Sequence, residues 1–222
     1  MSSFDSLSEP GRMVLPVRRD ERATVHPLPF NGDDVRLVEG LLRGERAATI
    51  YFYNAHADRV RALIFRILGS DLELEDTLHD TFVRALESIG SLRDPRALRP
   101  WLIGVAVYTA RSRIQARRRR RWLSFMAPEA LPQPAHSDPA PEVGEALRAV
   151  SKILERIPTD DRIAVVLRLA ERMTASEAAA ATRVSLSTFK RRFARGEALF
   201  RQLASAEPAL ASWFERGNAD ER

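Results

Sequence analysis

Residues 100–122 carry seven arginines in one run, between positions 111 and 121, and contain no acidic residue. Pro100 has its backbone φ already fixed near the helical value, which makes it a suitable first residue of a helix. After Gly104 the segment contains neither glycine nor proline. The pattern therefore predicts a long helix whose far end is too positively charged to pack against anything except an anion.

This predicted helix has two unlike faces. Helical spacing places a core-facing strip on one side, formed by Ile103, Val107, Ala110 and Ile114. The other side holds Trp101, Gly104, Tyr108, Arg111 and Gln115, bordered by Val105 and Ser112. Cations beside aromatic rings suit nucleic acid, which offers phosphates and stackable bases. A charge run alone is usually a solvated surface, so the alternative of a plain surface helix stays open.

Composition favours an acidic partner. The chain of 222 residues has a net charge of +5 and a pI near 10.3, which indicates nucleic acid more than a membrane surface. It contains no cysteine, which excludes disulfides and thiolate metal sites and is compatible with the cytoplasm. No apolar run reaches the length of a signal peptide or a membrane span.

Proline distribution and helical periodicity divide the chain into five segments. We expect an all-α fold of two small helical domains joined by a proline-rich linker, with a helix-turn-helix as the second domain. Residues 1–32 hold four prolines and are predicted to be a disordered extension, and residues 124–141 hold five prolines and are predicted to be the linker. The domains are predicted at 33–123 and 142–206, followed by a tail at 207–222.

Several details of these helices are also predicted. A capping box of Ser70 and Glu73 would start the third helix at Asp71, and Thr159 would cap the second helix of the second domain. Helical spacing also predicts that five further apolar residues face the core: Ile50, Tyr53, Leu147, Leu169 and Leu186.

The end of the second domain has helix-turn-helix proportions. A capping box of Thr174 and Glu177 precedes a short alanine-rich helix, and Ser185 caps a helix that runs to about Leu203. Phe189 marks its buried side. The outward side suits a DNA major groove, because hydroxyls can meet phosphates and arginine can bridge guanine O6 and N7. Its residues are Ser187, Thr188, Arg191 and Arg195, with Lys190 and Arg192 on the flanks.

Four motifs resemble those of the extracytoplasmic-function (ECF) sigma factors of bacterial RNA polymerase. Residues 76–82, DTLHDTF, are similar to the family's Asp-Leu-Val-Gln-Glu-Val-Phe, and residues 101–106, WLIGVA, are similar to its Trp-Leu-x-x-Ile-Ala. Residues 154–158, LERIP, fit Leu-x-x-Leu-Pro, and residues 185–192, SLSTFKRR, fit Ser-x-x-Thr-Val-Lys-Ser-Arg. Their order and the proline linker between them make the combination more specific than any one motif.

The resemblance implies an alternative sigma factor that binds core RNA polymerase and directs promoter recognition, melting and transcription initiation. It implies DNA contacts on the −10 side by Tyr108, Arg111, Ser112, Gln115, Arg117 and Arg118. It implies −35 contacts by the six polar residues of the helix-turn-helix named above. Core-polymerase contacts would come from Asp76, His79, Asp80 and Val83. It further implies a cytoplasmic protein without catalysis, cofactor or membrane insertion, with promoter DNA and an anti-sigma factor as further partners.

Three residues depart from the family pattern. Tyr108 stands where the family usually has asparagine, which changes the expected base preference. Arg183 occupies the turn position usually held by glycine, where a positive φ would be strained. Gly196 lies inside the recognition helix where alanine is usual, and glycine there weakens a helix by up to about 1 kcal/mol.

Two other functional classes remain as alternatives. Asp76 and His79 have the i, i+3 spacing of carboxylate-bridged metal bundles, but the other histidines supply no second pair. A helix-turn-helix regulator acting without core polymerase would explain residues 174–203. It leaves residues 33–122 without a role.

Overall fold

All regular secondary structure among the described residues of the computed structural model is helical. The structure describes residues 30, 32–69, 73–124, 141–208 and 210, with side chains for all of these except 121–124 and 141–145. Most of the predicted N-terminal extension, of the linker and of the tail therefore lies outside the described residues. Phe30, within the predicted disordered extension, is instead buried in the core cluster. The all-helical fold class predicted from the sequence is confirmed.

Four helices build the first half: α1 (Asp34–Leu42), α2 (Arg46–Leu68), α3 (Leu74–Ser88) and α4 (Leu98–Ser124). Two single 3₁₀ turns, Ile89–Ser91 and Pro95–Ala97, connect α3 to α4. The Asp33 side chain accepts a hydrogen bond from the backbone amide of Arg36 at 3.0 Å and starts α1. Gly69 ends α2 with a left-handed φ of 74°.

The second half holds α5 (Pro141–Arg156), α6 (Thr159–Val165), α7 (Ala175–Thr182) and α8 (Leu186–Ser205), and α6 continues into a π-helical turn at Val166–Ala170. The predicted capping box before α7 is present, with both reciprocal hydrogen bonds. Ser185 accepts from the amide of Thr188 and caps α8. Arg183 adopts a left-handed φ of 54°, so the turn between α7 and α8 is not reshaped and a non-glycine residue takes the strained conformation.

The two halves pack against each other. α4 contacts α7, and α2 contacts α5 and α6. Buried side chains of both halves, such as Leu63 of α2 and Leu167 of the π-helical turn, belong to one continuous apolar cluster. The face of α4 that was predicted to point outward is therefore partly covered by α7, where a Cβ on Gly104 would lie 3.3 Å from the carbonyl oxygen of Ala181.

Five predicted core positions are wrong. Ile50, Tyr53, Leu147, Leu169 and Leu186 are exposed. Helical spacing identifies an apolar stripe, but neighbouring helices decide which part of it is covered. In the first half of α2 the buried residues are Ala48, Phe52 and Ala57, of which only Ala48 was not predicted. The exposed Tyr53 ring still contacts Phe82, with centroids 4.8 Å apart.

Three predicted helix starts are also wrong. α3 begins at Leu74 without a side-chain cap, and Ser70 lies outside the described residues. Pro158, rather than Thr159, is the N-cap of α6, because its extended ψ of 137° turns the chain into the helix. α4 begins at Leu98, so Pro100 is its third residue, still within the turn where a missing amide is harmless.

Candidate nucleic-acid interface

The outward face of α4 carries the residues predicted to contact DNA. Tyr108 is 53% exposed, and the Arg84 guanidinium lies 5.7 Å from the centre of its ring. Gln115 is exposed, and Ser112 is half-buried. Trp101 is half-buried against the core cluster, so it packs against the core and also borders the outward face of α4.

A cavity of about 700 Å³ opens beside this face. The end of α3, the two 3₁₀ turns, α4 and α7 form its walls. Two aromatic rings, three guanidinium groups and two serines give it the chemistry to hold an unstacked base and its phosphate. The residues that supply these groups are Trp101, Tyr108, Arg84, Arg93, Arg183, Ser88 and Ser91.

The basic end of α4 is held by acids at the start and middle of α3. Glu73, whose side chain is 14% exposed, binds Arg117 at 3.1 Å and Arg120 at 2.8 Å. Arg113 binds Asp80 at 2.9 Å. Two predicted phosphate contacts, Arg117 and Arg118, are thus engaged within the protein, because Arg118 donates to the hydroxyl of Thr159. DNA binding would have to exchange these contacts for phosphates.

The recognition helix α8 presents its polar face as predicted at most positions. Ser187, Lys190 and Arg191 are exposed, and the Thr188 hydroxyl accepts a hydrogen bond from Ser185. Two arginines differ: Arg192, predicted on the flank, and Arg195, predicted on the outward side, both bind acids at the start of α6. Arg192 lies 2.6 Å from Asp160. Arg195 binds both oxygens of Asp161, and this hydrogen-bonded carboxylate raises the pKa of Arg195.

Asp160 joins the two halves. One carboxylate oxygen lies 2.5 Å from Nη2 of Arg111 on α4, and the other binds Arg192 of α8. Arg111 is therefore only partly exposed, and its buried Nε has no hydrogen-bond partner among the described residues. A second link joins Arg59 of α2 to the buried carboxylate of Glu171 at 2.8 Å.

Sequence reasoning did not identify these acidic partners. Asp160 and Asp161 stand at the start of α6, where acids are common because they complement the helix dipole. Glu171 follows the π-helical turn, and the hydrophobic periodicity of the sequence does not predict that turn. Only the packing of one half on the other shows that they bind arginines.

The predicted core-polymerase contacts share one face of α3. Asp76, His79 and Val83 are exposed, and their spacing places them on one side of the helix. Asp80 differs because its carboxylate is occupied by Arg113. Asp76, His79 and Val83 thus form an exposed surface that consists of two polar side chains and one apolar side chain.

The described residues give no support to the metal-enzyme alternative. Nowhere among them do three or more potential metal-ligating side chains converge. Separately, none of the helices within the described ranges combines the length and apolar character needed to cross a bilayer.

The sequence matches two families of known proteins. Residues 52–121 match the family described as Sigma-70 region 2, and residues 147–199 match the one described as Sigma-70, region 4. RNA polymerase sigma-H factor of Pseudomonas aeruginosa is 26% identical over 171 residues, which cover 73% of this chain and 89% of that protein. ECF RNA polymerase sigma factor SigE of Mycolicibacterium smegmatis is 30% identical over 148 residues, or 64% of this chain and 55% of that protein.

Two solved structures share the fold. CnrH, in complex with the cytosolic domain of CnrY, superposes with a TM-score of 0.56 at 23% identity, covering 78% of this chain and 98% of that one. The sigma factor RpoE, in complex with the anti-sigma factor NepR from Bartonella quintana, gives a TM-score of 0.58 at 20% identity, covering 70% of this chain and 95% of that one.

Proposed function

The chain belongs to the sigma-70 family, in its ECF group, and we propose that it is an alternative sigma factor that directs core RNA polymerase to a set of promoters. The observation that carries this is the match of residues 52–121 to Sigma-70 region 2 and of residues 147–199 to Sigma-70, region 4, in that order. The polymerase supplies the catalysis. Members of the family are generally regulatory rather than catalytic, and no cofactor enters the proposal.

On the −10 side, we assign strand capture to the outward face of α4 and the cavity beside it. Tyr108 is placed to stack on a base taken from the duplex, and Gln115 and Ser112 can hydrogen-bond to base edges or the sugar. Arg111, Arg117 and Arg118 would hold phosphates after leaving their present acidic or hydroxyl partners. Base flipping costs a few kcal/mol, which stacking and phosphate contacts offset.

On the −35 side, α8 would lie in the major groove with its N-terminal turn toward the bases. Arg191 is the candidate for guanine readout because it is exposed one turn into the helix. Lys190, Ser187 and Thr188 would contact phosphates or base edges. Arg192 and Arg195 bind acids of α6, so their proposed role is to fix the orientation of α8 and to contact phosphates from its flank.

Core polymerase would bind the open face of α3 formed by Asp76, His79 and Val83. This face borders α4, because Asp80 binds Arg113 and the Arg84 guanidinium lies 5.7 Å from the centre of the Tyr108 ring. Asp80 would act there indirectly, by holding Arg113. The domain boundaries that go with this proposal are 33–123 and 142–206, joined by the linker 124–141.

The proposal includes an anti-sigma factor as a partner and the cytoplasm as the location. Both structural relatives were solved with a bound second protein, described for one of them as an anti-sigma factor. A helix-turn-helix regulator acting without polymerase is not favoured, because the region 2 match gives residues 52–121 the role that this alternative lacks.

Co-purification with core polymerase, followed by sequencing of the bound DNA, tests the proposal. We expect a stoichiometric complex with core enzyme and enrichment of DNA that shares two short elements. A protein that leaves core enzyme unbound and selects one duplex element alone would be a conventional regulator.

A further inference from the structure

We propose that the cavity between α4 and α7 is a binding site for a free nucleoside monophosphate, with the base against its aromatic wall and the phosphate on its guanidinium groups. The proposal goes beyond the sigma-factor function, because it adds a small-molecule ligand that the protein binds without polymerase or DNA. The walls of the cavity come from the end of α3, the two 3₁₀ turns and α4 on one side and from α7 on the other.

The cavity has the size and the lining of a small-molecule site. Its volume of about 700 Å³ lies within the usual range of about 300–1,000 Å³ for such sites. Leu92, Trp101 and Val105 supply apolar surface and are half-buried against the core cluster, whereas the ring of Tyr108 is exposed. A base of any identity can stack on an aromatic side chain, so this wall suits the base of a nucleotide.

The guanidinium groups of the cavity wall differ from the paired arginines of α4. Arg84, Arg93 and Arg183 are exposed, and none of them forms an ion pair with a residue that the structure describes. Arg111 and Arg117, by contrast, each bind a carboxylate. A guanidinium that has no carboxylate partner is available for the bidentate hydrogen bonds that a phosphate group accepts. The cavity therefore concentrates three such groups beside two aromatic rings.

Three acids in the same wall narrow the choice of nucleotide. Glu87, Asp94 and Glu177 line the cavity, and hydrogen bonds from the backbone and side chain of Thr174 lower the pKa of Glu177 and keep it ionised. Carboxylates accept hydrogen bonds, and guanine presents two neighbouring donors, N1–H and the N2 amino group, along one edge. Three carboxylates also balance three guanidinium groups, so the cavity suits one phosphate better than a triphosphate. Guanosine monophosphate is thus the ligand that fits this lining best.

Arg183 allows ligand binding to be separated from folding. Its backbone has a φ of 54°, in the left-handed region that favours glycine. Arg183→Gly therefore removes the guanidinium group and relieves the backbone, so we expect the variant to fold. Arg172→Gly is the matched control, because Arg172 is also an exposed arginine, has a φ of 55° and does not line the cavity.

Isothermal titration calorimetry of the full-length protein with guanosine monophosphate tests the site. We expect one molecule to bind with a Kd on the order of 0.1 mM. Arg183→Gly should weaken binding by about tenfold, the weight of one charge-assisted hydrogen bond, and Arg172→Gly should bind as the wild type does. Guanosine and inorganic phosphate, used separately, should each bind at least tenfold more weakly than the nucleotide. No binding by the wild type, or equal losses in the two glycine variants, would overturn the inference.

A single-stranded oligonucleotide distinguishes the free nucleotide from a nucleotide within a DNA strand. We expect guanosine monophosphate to compete with the oligonucleotide in fluorescence anisotropy, because Tyr108 serves both ligands. An oligonucleotide that binds while guanosine monophosphate does not would restrict the cavity to strand capture and leave the sigma-factor function intact. A protein that binds the nucleotide but gives no promoter-directed transcription with core polymerase would uphold the inference and refute the proposed function.

Discussion

A methyl group on Gly196 of α8 would stand 2.7 Å from the carbonyl oxygen of Asp161 in α6. Helix propensity alone favours alanine at this position by up to about 1 kcal/mol, yet the close approach of α6 requires glycine. We expect Gly196→Ala to lower the free energy of unfolding by about 1–3 kcal/mol, because backbone must shift to relieve the contact. Denaturant unfolding monitored by circular dichroism measures this.

Gly90 supplies the control for that experiment. A methyl group there would meet only Leu42, at 4.0 Å. Gly90→Ala should change the stability by no more than about 0.5 kcal/mol. Equal effects of the two substitutions would show that the α6–α8 contact does not decide the need for glycine.

His56 should make stability depend on pH. Burial lowers its pKa from 6.5, with Arg59 and Arg99 acting in the same direction and Asp34 opposing them. The unfolded chain therefore binds a proton at a higher pH than the native protein does. With respect to His56, the native protein is therefore most stable above pH 6.5, and its free energy of unfolding decreases as the pH falls below that value. His56→Gln should flatten this dependence in urea unfolding between about pH 5.5 and 7.5. If His56→Gln leaves the pH dependence of the free energy of unfolding unchanged, another group is responsible for it.

Arg191 should carry base discrimination. Arg191→Ala is expected to weaken binding to selected −35 sites by about 1–3 kcal/mol and to random duplex by less. Arg201, also exposed on α8 but near its far end and paired with Glu197, is the matched control. Fluorescence anisotropy on both duplexes separates the effects. An equal loss on selected and random DNA would reduce Arg191 to a phosphate contact.

Val83 tests the polymerase-binding face of α3. Val83→Asp places a charge on a side chain 38% exposed, so we expect little change in stability and at least a tenfold weaker core complex. Val35 is 40% exposed on α1, and Val35→Asp is the matched control. Titration of labelled protein with core enzyme gives both affinities. Unchanged affinity for Val83→Asp would exclude this face.

Local chemistry was enough to predict much of the fold. The capping box of Thr174 and Glu177 and the cap at Ser185 follow from residue type and spacing within one turn. The core strip of α4, formed by Ile103, Val107, Ala110 and Ile114, was also predictable from its helical spacing, and all four residues are buried. These features depend on neighbours in the sequence.

The features that could not be predicted depend on contacts between residues that are far apart in the sequence and close in space. Leu147 is exposed because the contacts of α5 with α8 run through the stripe that contains Ala146 and Ala149. The pairing of Arg111 with Asp160 joins residues 49 apart in the chain and exists only when the halves meet. Glu73 was predicted as part of a cap, whereas its carboxylate binds arginines 44 and 47 residues away. Periodicity contains no information about such contacts.

Promoter-directed transcription with purified core polymerase tests the central claim most directly. The template carries the two elements enriched with the complex, and run-off RNA is compared with and without this protein. We expect RNA from a defined start site only when the protein is present, and a loss when either element is scrambled. RNA made equally well by core enzyme alone, or made with one element scrambled, would contradict recognition of two elements by one sigma factor.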